Sequence, residues 1–251
     1  MVMADTRLVK IKNLSKGFEN LKVLNNISMY TDVGENLVVF GQSGTGKSVL
    51  LKCIIGLLKP EKGEIFIHDK NVHELSIKEL NKVRKNIGFL FQSAALYDSM
   101  SVRENLEFPL KKLMRTPQAE MDNKIMHTLE LVSLAEAVDK MPSELSGGMR
   151  KRIGLARSII TDPELMLYDE PTTGLDPITT KEISELILNL QNELNMTSIV
   201  VTHDLICAEI IADRAIFLRD AKIAFEGKID ELTKSEDPFL RNFFSNEIIK
   251  A

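Results

Sequence analysis

A glycine-rich loop near the start of the chain has the residue types that bind phosphate groups. Residues 41–48 read Gly-Gln-Ser-Gly-Thr-Gly-Lys-Ser, between the apolar run 37–40 and a helical pattern. Glycines let backbone N–H groups turn onto an anion with no Cβ in the way, and the positive end of the following helix adds to the attraction. Lys47 can reach the β- and γ-phosphates of a triphosphate, while the Ser48 hydroxyl can ligate Mg²⁺.

The alternative to a phosphate site is a chance glycine-rich turn. Every fixed position of the pattern is filled, and a strand precedes it and a helix follows it, so we interpret the segment as a P-loop. The residues predicted to contact a nucleotide through this loop are Gly41, Gln42, Ser43, Gly44, Thr45, Gly46, Lys47, Ser48 and Val49.

Two adjacent carboxylates complete the chemistry of a triphosphate site. Asp169 and Glu170 follow the apolar run 165–168, and the carboxyl end of a strand in a doubly wound sheet faces the ligand crevice. Asp169 is placed to hold Mg²⁺, directly or through water. Glu170 suits a general base that positions and deprotonates the attacking water. Taken alone, the pair could be a solvated strand end, and its combination with the P-loop favours the catalytic interpretation.

A second helix start also favours an anion. Residues 145–149 read Leu-Ser-Gly-Gly-Met and lead into a helical pattern that continues to residue 157. Two helix starts that favour phosphate can serve one triphosphate if two subunits associate head to tail. The second helix start of each subunit then covers the nucleotide of the other subunit. Read by itself, the segment could be an ordinary N-cap followed by a flexible glycine pair.

The elements that must position these residues predict an α/β fold. Strand patterns occur first at 8–11, 27–30, 37–40, 65–68 and 87–91, and later at 165–168, 198–201 and 215–225. Helical periodicity occurs at 102–113, 120–132, 134–138 and 181–194. The later half alternates strands with helices, as a parallel sheet requires. We therefore expect a parallel sheet with antiparallel strands near the start and an inserted helical lobe.

Composition limits the classes of partner. The 251 residues include 32 basic and 36 acidic side chains, a net charge of −4, which argues against a nucleic-acid partner. Residues 1–10 lack an apolar segment, and no stretch approaches the roughly 20 apolar residues of a membrane span. Cys53 and Cys207 each lie in an apolar helical pattern, so we expect buried free thiols and a cytoplasmic protein.

The order and spacing of these motifs resemble the ATP-binding cassette (ABC) transporter ATPases over residues 8–227. By that resemblance, Phe18 takes the place of the aromatic that stacks on adenine, with Val23 close behind it. Gln92 matches the glutamine that touches Mg²⁺ and senses the γ-phosphate. Asp176 matches the D-loop aspartate, and His203 matches the switch histidine. Taken singly, a glutamine, histidine or phenylalanine would be an ordinary surface or core residue with no functional role, and Phe18 could simply pack on the sheet.

The resemblance implies a single ABC ATPase domain over residues 1–240, with a RecA-like core at 1–92 and 163–235 and a helical lobe at 93–162. It implies hydrolysis of ATP to ADP and phosphate with Mg²⁺ held by Ser48, Gln92 and Asp169. The expected assembly is a homodimer with two ATP at its interface, where Ser146, Gly147 and Gly148 contact the opposite nucleotide.

Residues 91–110 and 145–157 resemble most closely the Mla/MCE-type ATPases of bacteria, which energise phospholipid or other lipid transport. Residues 93–109 mix apolar side chains with few charges just beyond Gln92, so we expect them to form a groove for a helix of a separate membrane permease. They could instead pack inside the lobe. The resemblance also names MCE-type lipid-binding subunits and small accessory subunits as candidate partners. It implies a protein peripheral to the inner membrane.

Two other functions remain open at this point. One is an ABC ATPase for another solute. The other is a soluble ABC protein of translation or DNA repair, but such proteins normally carry two cassettes or a long coiled-coil insertion, and this sequence shows neither. The tail, residues 236–251, has apolar residues near helical spacing, which predicts a helix that packs either on the protein's own sheet or on another subunit.

Overall fold

The computed structural model describes residues 6–19, 21–114 and 116–248. Within these ranges the strands form two sheets. The strands are β1 (Arg7–Phe18), β2 (Leu21–Asp32), β3 (Asn36–Phe40), β4 (Lys62–Ile67), β5 (Lys70–Asn71), β6 (Ile87–Leu90), β7 (Leu165–Asp169), β8 (Thr197–Thr202), β9 (Arg214–Arg219) and β10 (Lys222–Gly227).

The helices of the described ranges surround these sheets. They are α1 (Lys47–Ile54), α2 (Ile77–Arg84), α3 (Val102–Pro109), α4 (Gln118–Leu131), α5 (Gly147–Ile159), α6 (Pro177–Leu194), α7 (Leu205–Ile211), α8 (Ile229–Thr233) and α9 (Pro238–Ile248). A π-helical turn, Leu110–Met114, extends α3, because Pro109 cannot donate the backbone hydrogen bond of a regular α-helix.

The larger sheet has the strand order β10-β9-β3-β8-β7-β6, and β9, β3, β8, β7 and β6 run parallel. Its central strands are buried on both faces, which explains their continuous apolar runs. Alternate residues enter two different cores: Val38 and Phe40 face the helical lobe and the tail, whereas Leu37 and Val39 face α1 and the smaller sheet. The predicted α/β class with a parallel core is confirmed.

The smaller sheet has the order β2-β1-β4-β5 and is antiparallel, as predicted for the first strands. Arg214 of β9 ties it to the larger sheet. Its guanidinium donates to the Glu35 carboxylate, with Nε to Oε1 at 2.7 Å, and to the Tyr30 carbonyl oxygen at 2.6 Å. The same guanidinium lies 4.4 Å from the centre of the Tyr30 ring. These contacts fix the end of β2 against the parallel core.

The stretch 215–225, which has a strand pattern, forms the hairpin of β9 and β10. Asp220 and Ala221 both have positive φ angles, 49° and 61°, which is the backbone of a two-residue primed turn. Alanine is not a typical residue at such a turn, so the residue types did not indicate one there. The helical pattern predicted at 134–138 is only a short 3-10 turn, Ala135–Ala137.

The tail forms α9, and its described apolar side chains pack on the protein's own sheet. Leu240 and Phe244 are buried in the core that also contains Phe40 and Phe217. The Phe244 ring meets the Phe40 ring edge-on at 5.7 Å between centroids. This agrees with the first of the two predicted arrangements. Of the tail residues, 249–251 lie outside the described residues.

We expect Phe244→Ala to lower the free energy of unfolding by about 3 kcal/mol, because removal of a buried phenylalanine leaves a cavity. Arg241→Ala on the exposed side of the same helix is the matched control, with an expected change below about 0.5 kcal/mol. Urea denaturation of the two variants measures both values. If Phe244→Ala left the unfolding curve unchanged, the tail would not belong to this core.

Candidate functional site

The predicted catalytic residues come from different parts of the chain but meet at one edge of the larger sheet. The P-loop follows β3, Gln92 follows β6, Asp169 ends β7 and His203 follows β8. These four strands are parallel, so their carboxyl ends lie at the same edge. Ligands of open α/β sheets bind at this edge.

The P-loop connects β3 to α1 as expected. Gly46 precedes α1 with a φ of +95°, and a Cβ built there would lie 2.6 Å from Cγ1 of Val23 and 2.8 Å from the Val23 carbonyl oxygen. Only glycine fits this position. Through this contact, β2 of the smaller sheet places Val23 beside the P-loop.

Lys47 and Glu170 form a buried charged pair in the site. The Lys47 ammonium donates to the carbonyl oxygens of Gly41 at 2.6 Å and Gln42 at 3.2 Å, and lies 3.2 Å from Oε1 of Glu170. Oε2 of Glu170 is 2.8 Å from Nδ1 of His203. The Glu170 carboxylate is therefore held from both sides, by Lys47 and by His203.

Several opposing effects set the pKa of Glu170. Burial raises it, but the hydrogen bond from His203 and the positive charge of Lys47 together outweigh burial, so the pKa of Glu170 is lowered. The carboxylate is consequently ionised at neutral pH and can accept a proton. Glu170 also has a left-handed backbone, with φ at 51°, which turns the chain away from β7 and separates its side chain from that of Asp169.

Ser48 and Asp169 lie together, as a magnesium site requires. The Ser48 hydroxyl donates to Oδ1 of Asp169 at 2.6 Å, and Asp169 is almost fully buried. Hydroxyl and carboxylate oxygens are ligands that suit Mg²⁺, which keeps further positions for water and phosphate oxygens. The residues present therefore fit a Mg²⁺ ion.

A cleft of about 520 Å³, which we call the P-loop cleft, lies between the P-loop and the ends of β1, β6, β7 and β8. Phe18, at the end of β1, is 45% exposed and lies at this cleft. The predicted site residues that line it are Phe18, Val23, Ser43, Gly44, Gly46, Lys47, Ser48, Val49, Gln92, Glu170 and His203. Gly41 and Gln42 contribute carbonyl oxygens to Lys47, and Thr45 donates from its hydroxyl to the Gln42 carbonyl, so these three brace the loop.

The remaining predicted contacts line a different cleft of about 440 Å³. It contains Ser146, Gly147 and Gly148 at the start of α5, and Asp176 at the start of α6. Ser146 caps α5 by accepting from the Met149 N–H at 3.3 Å. This cleft and the P-loop cleft share no lining residue. One chain therefore does not bring the two phosphate-seeking helix starts to a single cleft.

Asp176 is the N-cap of α6. Its Oδ1 accepts from the Ile178 and Thr179 N–H groups, and its Oδ2 accepts from the Thr179 hydroxyl at 2.6 Å. The hydrogen bonds from Thr179 lower the pKa of Asp176. Its carboxylate thus orders the segment that faces Ser146 across the second cleft.

Sequence reasoning gave no role to three polar residues around Gln92. Lys151 is a buried lysine whose ammonium donates to the Gln92 carbonyl oxygen at 2.5 Å. Arg157 donates to the carbonyl oxygens of residues just after Gln92, and the buried Asn105 bonds the backbone of residues 97–101. The only signal in the sequence is a lysine at position 151, four residues before Leu155, on what becomes the buried face of α5.

A P-loop after β3 and a carboxylate pair at the carboxyl end of β7, in the same parallel sheet with β8 between them, define this protein as a P-loop nucleoside triphosphatase. The family described as ABC transporter matches residues 24–173. The chain belongs to the ABC transporter family, as an ATP-binding subunit that hydrolyses ATP. The resemblance seen in the motifs is confirmed.

Individual relatives carry more specific names. The chain is 40% identical over 240 residues to the intermembrane phospholipid transport system ATP-binding protein MlaF of Haemophilus influenzae, covering 96% of this chain and 91% of that protein. It is 38% identical over 241 residues to the probable ribonucleotide transport ATP-binding protein mkl of Mycobacterium leprae, covering 96% of this chain and 70% of that protein.

A solved structure is similar over most of its length. It is a dimeric ATP-binding cassette in a post-hydrolysis state, bound to ADP and Pi. The TM-score is 0.81 with 33% sequence identity, and the match covers 88% of this chain and 98% of the other. The predicted cassette fold is therefore confirmed.

Proposed function

We propose that this chain is the ATPase of a phospholipid transporter and works as a homodimer with two Mg²⁺·ATP at its interface. Closure of the dimer on ATP and its opening after hydrolysis would drive a separate membrane permease. The observation that supports the dimer is that the predicted nucleotide contacts of one chain are divided between two separate clefts. The similar cassette bound to ADP and Pi is itself dimeric.

In this dimer, each nucleotide lies between the P-loop of one subunit and the start of α5 of the other. Ser146, Gly147 and Gly148 then offer backbone N–H groups and a helix dipole to the γ-phosphate of the opposite nucleotide. Asp176, across the same cleft, faces that interface. The head-to-tail arrangement would place the γ-phosphate of the opposite nucleotide at the second cleft.

The residues of the P-loop cleft have distinct proposed roles in hydrolysis. Lys47 binds the phosphates, and Ser48, Asp169 and Gln92 would hold Mg²⁺, which would supply positive charge to the phosphate oxygens. Glu170 takes a proton from the attacking water, and His203 keeps the carboxylate oriented through the 2.8 Å contact. Phe18 stacks on the adenine, with Val23 beside it.

Phospholipid is the proposed substrate because of sequence similarity, both in two segments and over the whole chain. Residues 91–110 and 145–157 resemble the Mla/MCE-type ATPases, and a relative that matches 96% of this chain is named for intermembrane phospholipid transport. Ribonucleotide transport is the second candidate, since the mycobacterial relative carries that name. MCE-type and small accessory subunits, and a position at the cytoplasmic face of the inner membrane, belong to the first proposal. None of the helices in the described part of the chain has the length and apolar character of a membrane span.

The proposed permease contact is the exposed part of residues 93–109. Within that segment, Val102, Asn105 and Leu106 are buried in the lobe, and Leu96 packs against the same core. A charge at Leu96 would therefore destabilise the lobe itself. Tyr97 is 44% exposed, and its ring lies 5.2 Å from the Phe108 ring at a tilt of 55°, so it is the better position at which to test docking.

We expect Tyr97→Glu to release the ATPase from its permease without loss of ATP binding, because a carboxylate buried in an apolar contact costs several kcal/mol. Leu113→Glu is the matched control: it lies in the same lobe, is 40% exposed, and is outside residues 93–109. The measurement is the amount of ATPase that co-purifies with the permease from membranes. Equal retention of both variants would remove residues 93–109 as the contact.

A further inference from the structure

One stripe of α5 contacts the loop that follows β6. The stripe consists of Lys151, Gly154 and Arg157, which are spaced by three residues and so share one side of the helix. Arg157 donates to the carbonyl oxygens of Ala95 at 2.7 Å and Ala94 at 3.2 Å. At Gly154, an added Cβ would lie 2.8 Å from the Ala94 Cβ, so the helix approaches the loop as closely as glycine allows.

The loop has a backbone that it would not adopt without such contacts. Ala94 and Ala95 both have positive φ angles, 59° and 48°, a region that alanine disfavours. The two Arg157 hydrogen bonds and the close contact at Gly154 hold the chain in this conformation directly after Gln92. The position of Gln92 therefore depends on α5.

Lys151 connects this loop to a second element. Its ammonium donates to the Gln92 carbonyl oxygen at 2.5 Å and to the Glu170 carbonyl oxygen at 3.4 Å. The side chain is only 6% exposed, and burial lowers the pKa of Lys151, while the charges of Glu170 and Asp169 oppose that effect. Because the Lys151 ammonium donates to both carbonyl oxygens, it fixes the distances of Gln92 and Glu170 from α5.

We propose that Lys151 is a positioning residue that holds Gln92 and Glu170 to α5, so that the helix and these two residues move as one unit. The start of the same helix carries Ser146, which the proposed function places on the opposite nucleotide. The inference rests on that dimer, but not on the nature of the transported substrate. Engagement of the opposite nucleotide by one end of α5 would thereby align the glutamine and the general base of its own site.

The test compares Lys151→Met with Lys151→Arg in the full-length chain. Methionine keeps the length of the side chain but cannot donate, so Gln92 and Glu170 lose their common anchor. We expect kcat for ATP hydrolysis to fall about 10- to 100-fold, the usual effect of a small misplacement of catalytic groups, with the KM for ATP within about twofold. Arginine retains donors and should recover most of the loss.

Hydrogen exchange separates positioning from general stability. In Lys151→Met, the amides of residues 92–95 should exchange faster while those of α5 stay protected, and the unfolding temperature should change little. The control is Lys124→Met, which removes a partly buried lysine paired with Asp162 away from both clefts and should keep kcat. Because ATP hydrolysis is measured without a permease, a failure of the lipid proposal would not affect these readouts.

Three results would overturn the proposal. They are a kcat in Lys151→Met within threefold of wild type, an equal loss in Lys151→Met and Lys151→Arg, or faster exchange throughout α5 together with a lower unfolding temperature. The last result would make Lys151 a residue of general stability.

Discussion

Glu170→Gln is expected to keep ATP binding and to lower ATP turnover by about 10²- to 10⁴-fold, the range for loss of a positioned general base. The amide can still accept from His203 and position a water, but it cannot take the proton of that water. Because binding persists and hydrolysis does not, the variant should accumulate as a closed dimer in ATP. Phosphate release and size-exclusion chromatography with ATP measure the two effects.

The matched control is Glu164→Gln, the same change just before the opposite end of β7. Glu164 pairs with His68 far from the P-loop cleft and is half exposed, so turnover should stay within twofold of wild type. Steady-state phosphate release by Glu170→Gln within threefold of wild type would remove Glu170 from the role of base.

Ser146→Arg is expected to lower turnover at least about 10²-fold while each isolated subunit still binds ATP. A bulky cation at the start of α5 would obstruct the γ-phosphate seat that this helix offers to the opposite subunit. The change also removes the α5 cap, which accounts for about 1 kcal/mol of stability. Ser76→Arg removes the equivalent cap of α2 outside both clefts and controls for that loss.

A mixed dimer tests whether the two parts of each site come from different subunits. Combining Ser146→Arg with Lys47→Ala subunits should give a heterodimer with one fully intact site, made from the P-loop of the first and the α5 start of the second. Its nucleotide occupancy should therefore be one tightly held ATP per heterodimer. Two equally impaired sites would mean that each ATP uses the α5 of its own subunit.

Local motifs predicted most of the P-loop cleft. The P-loop, the Asp169 and Glu170 pair, Gln92 and His203 each follow a strand, and parallel strands bring such positions to one edge whatever the loops between them. The buried central strands were also predicted, because a sheet covered on both faces needs continuous apolar runs. Both predictions depend on short segments of sequence.

Features that depend on distant contacts were not predictable in this way. Lys151 binds a carbonyl 59 residues away, and a backbone carbonyl has no residue type to recognise. The turn at Asp220 and Ala221 is set by the pairing of β9 with β10. The partial burial of Leu96 depends on how the lobe packs, so the apolar pattern of residues 93–109 could not separate core from surface.

The central claim is that ATP hydrolysis by this chain moves phospholipid, and reconstitution of the ATPase with its co-purifying permease tests it most directly. Liposomes would carry labelled phospholipid and be supplied with labelled ribonucleotide, with the Glu170→Gln complex as the inactive control. We predict ATP-dependent movement of phospholipid that is lost in the control, with no ribonucleotide uptake. ATP-driven ribonucleotide uptake with an unchanged phospholipid distribution would contradict the claim.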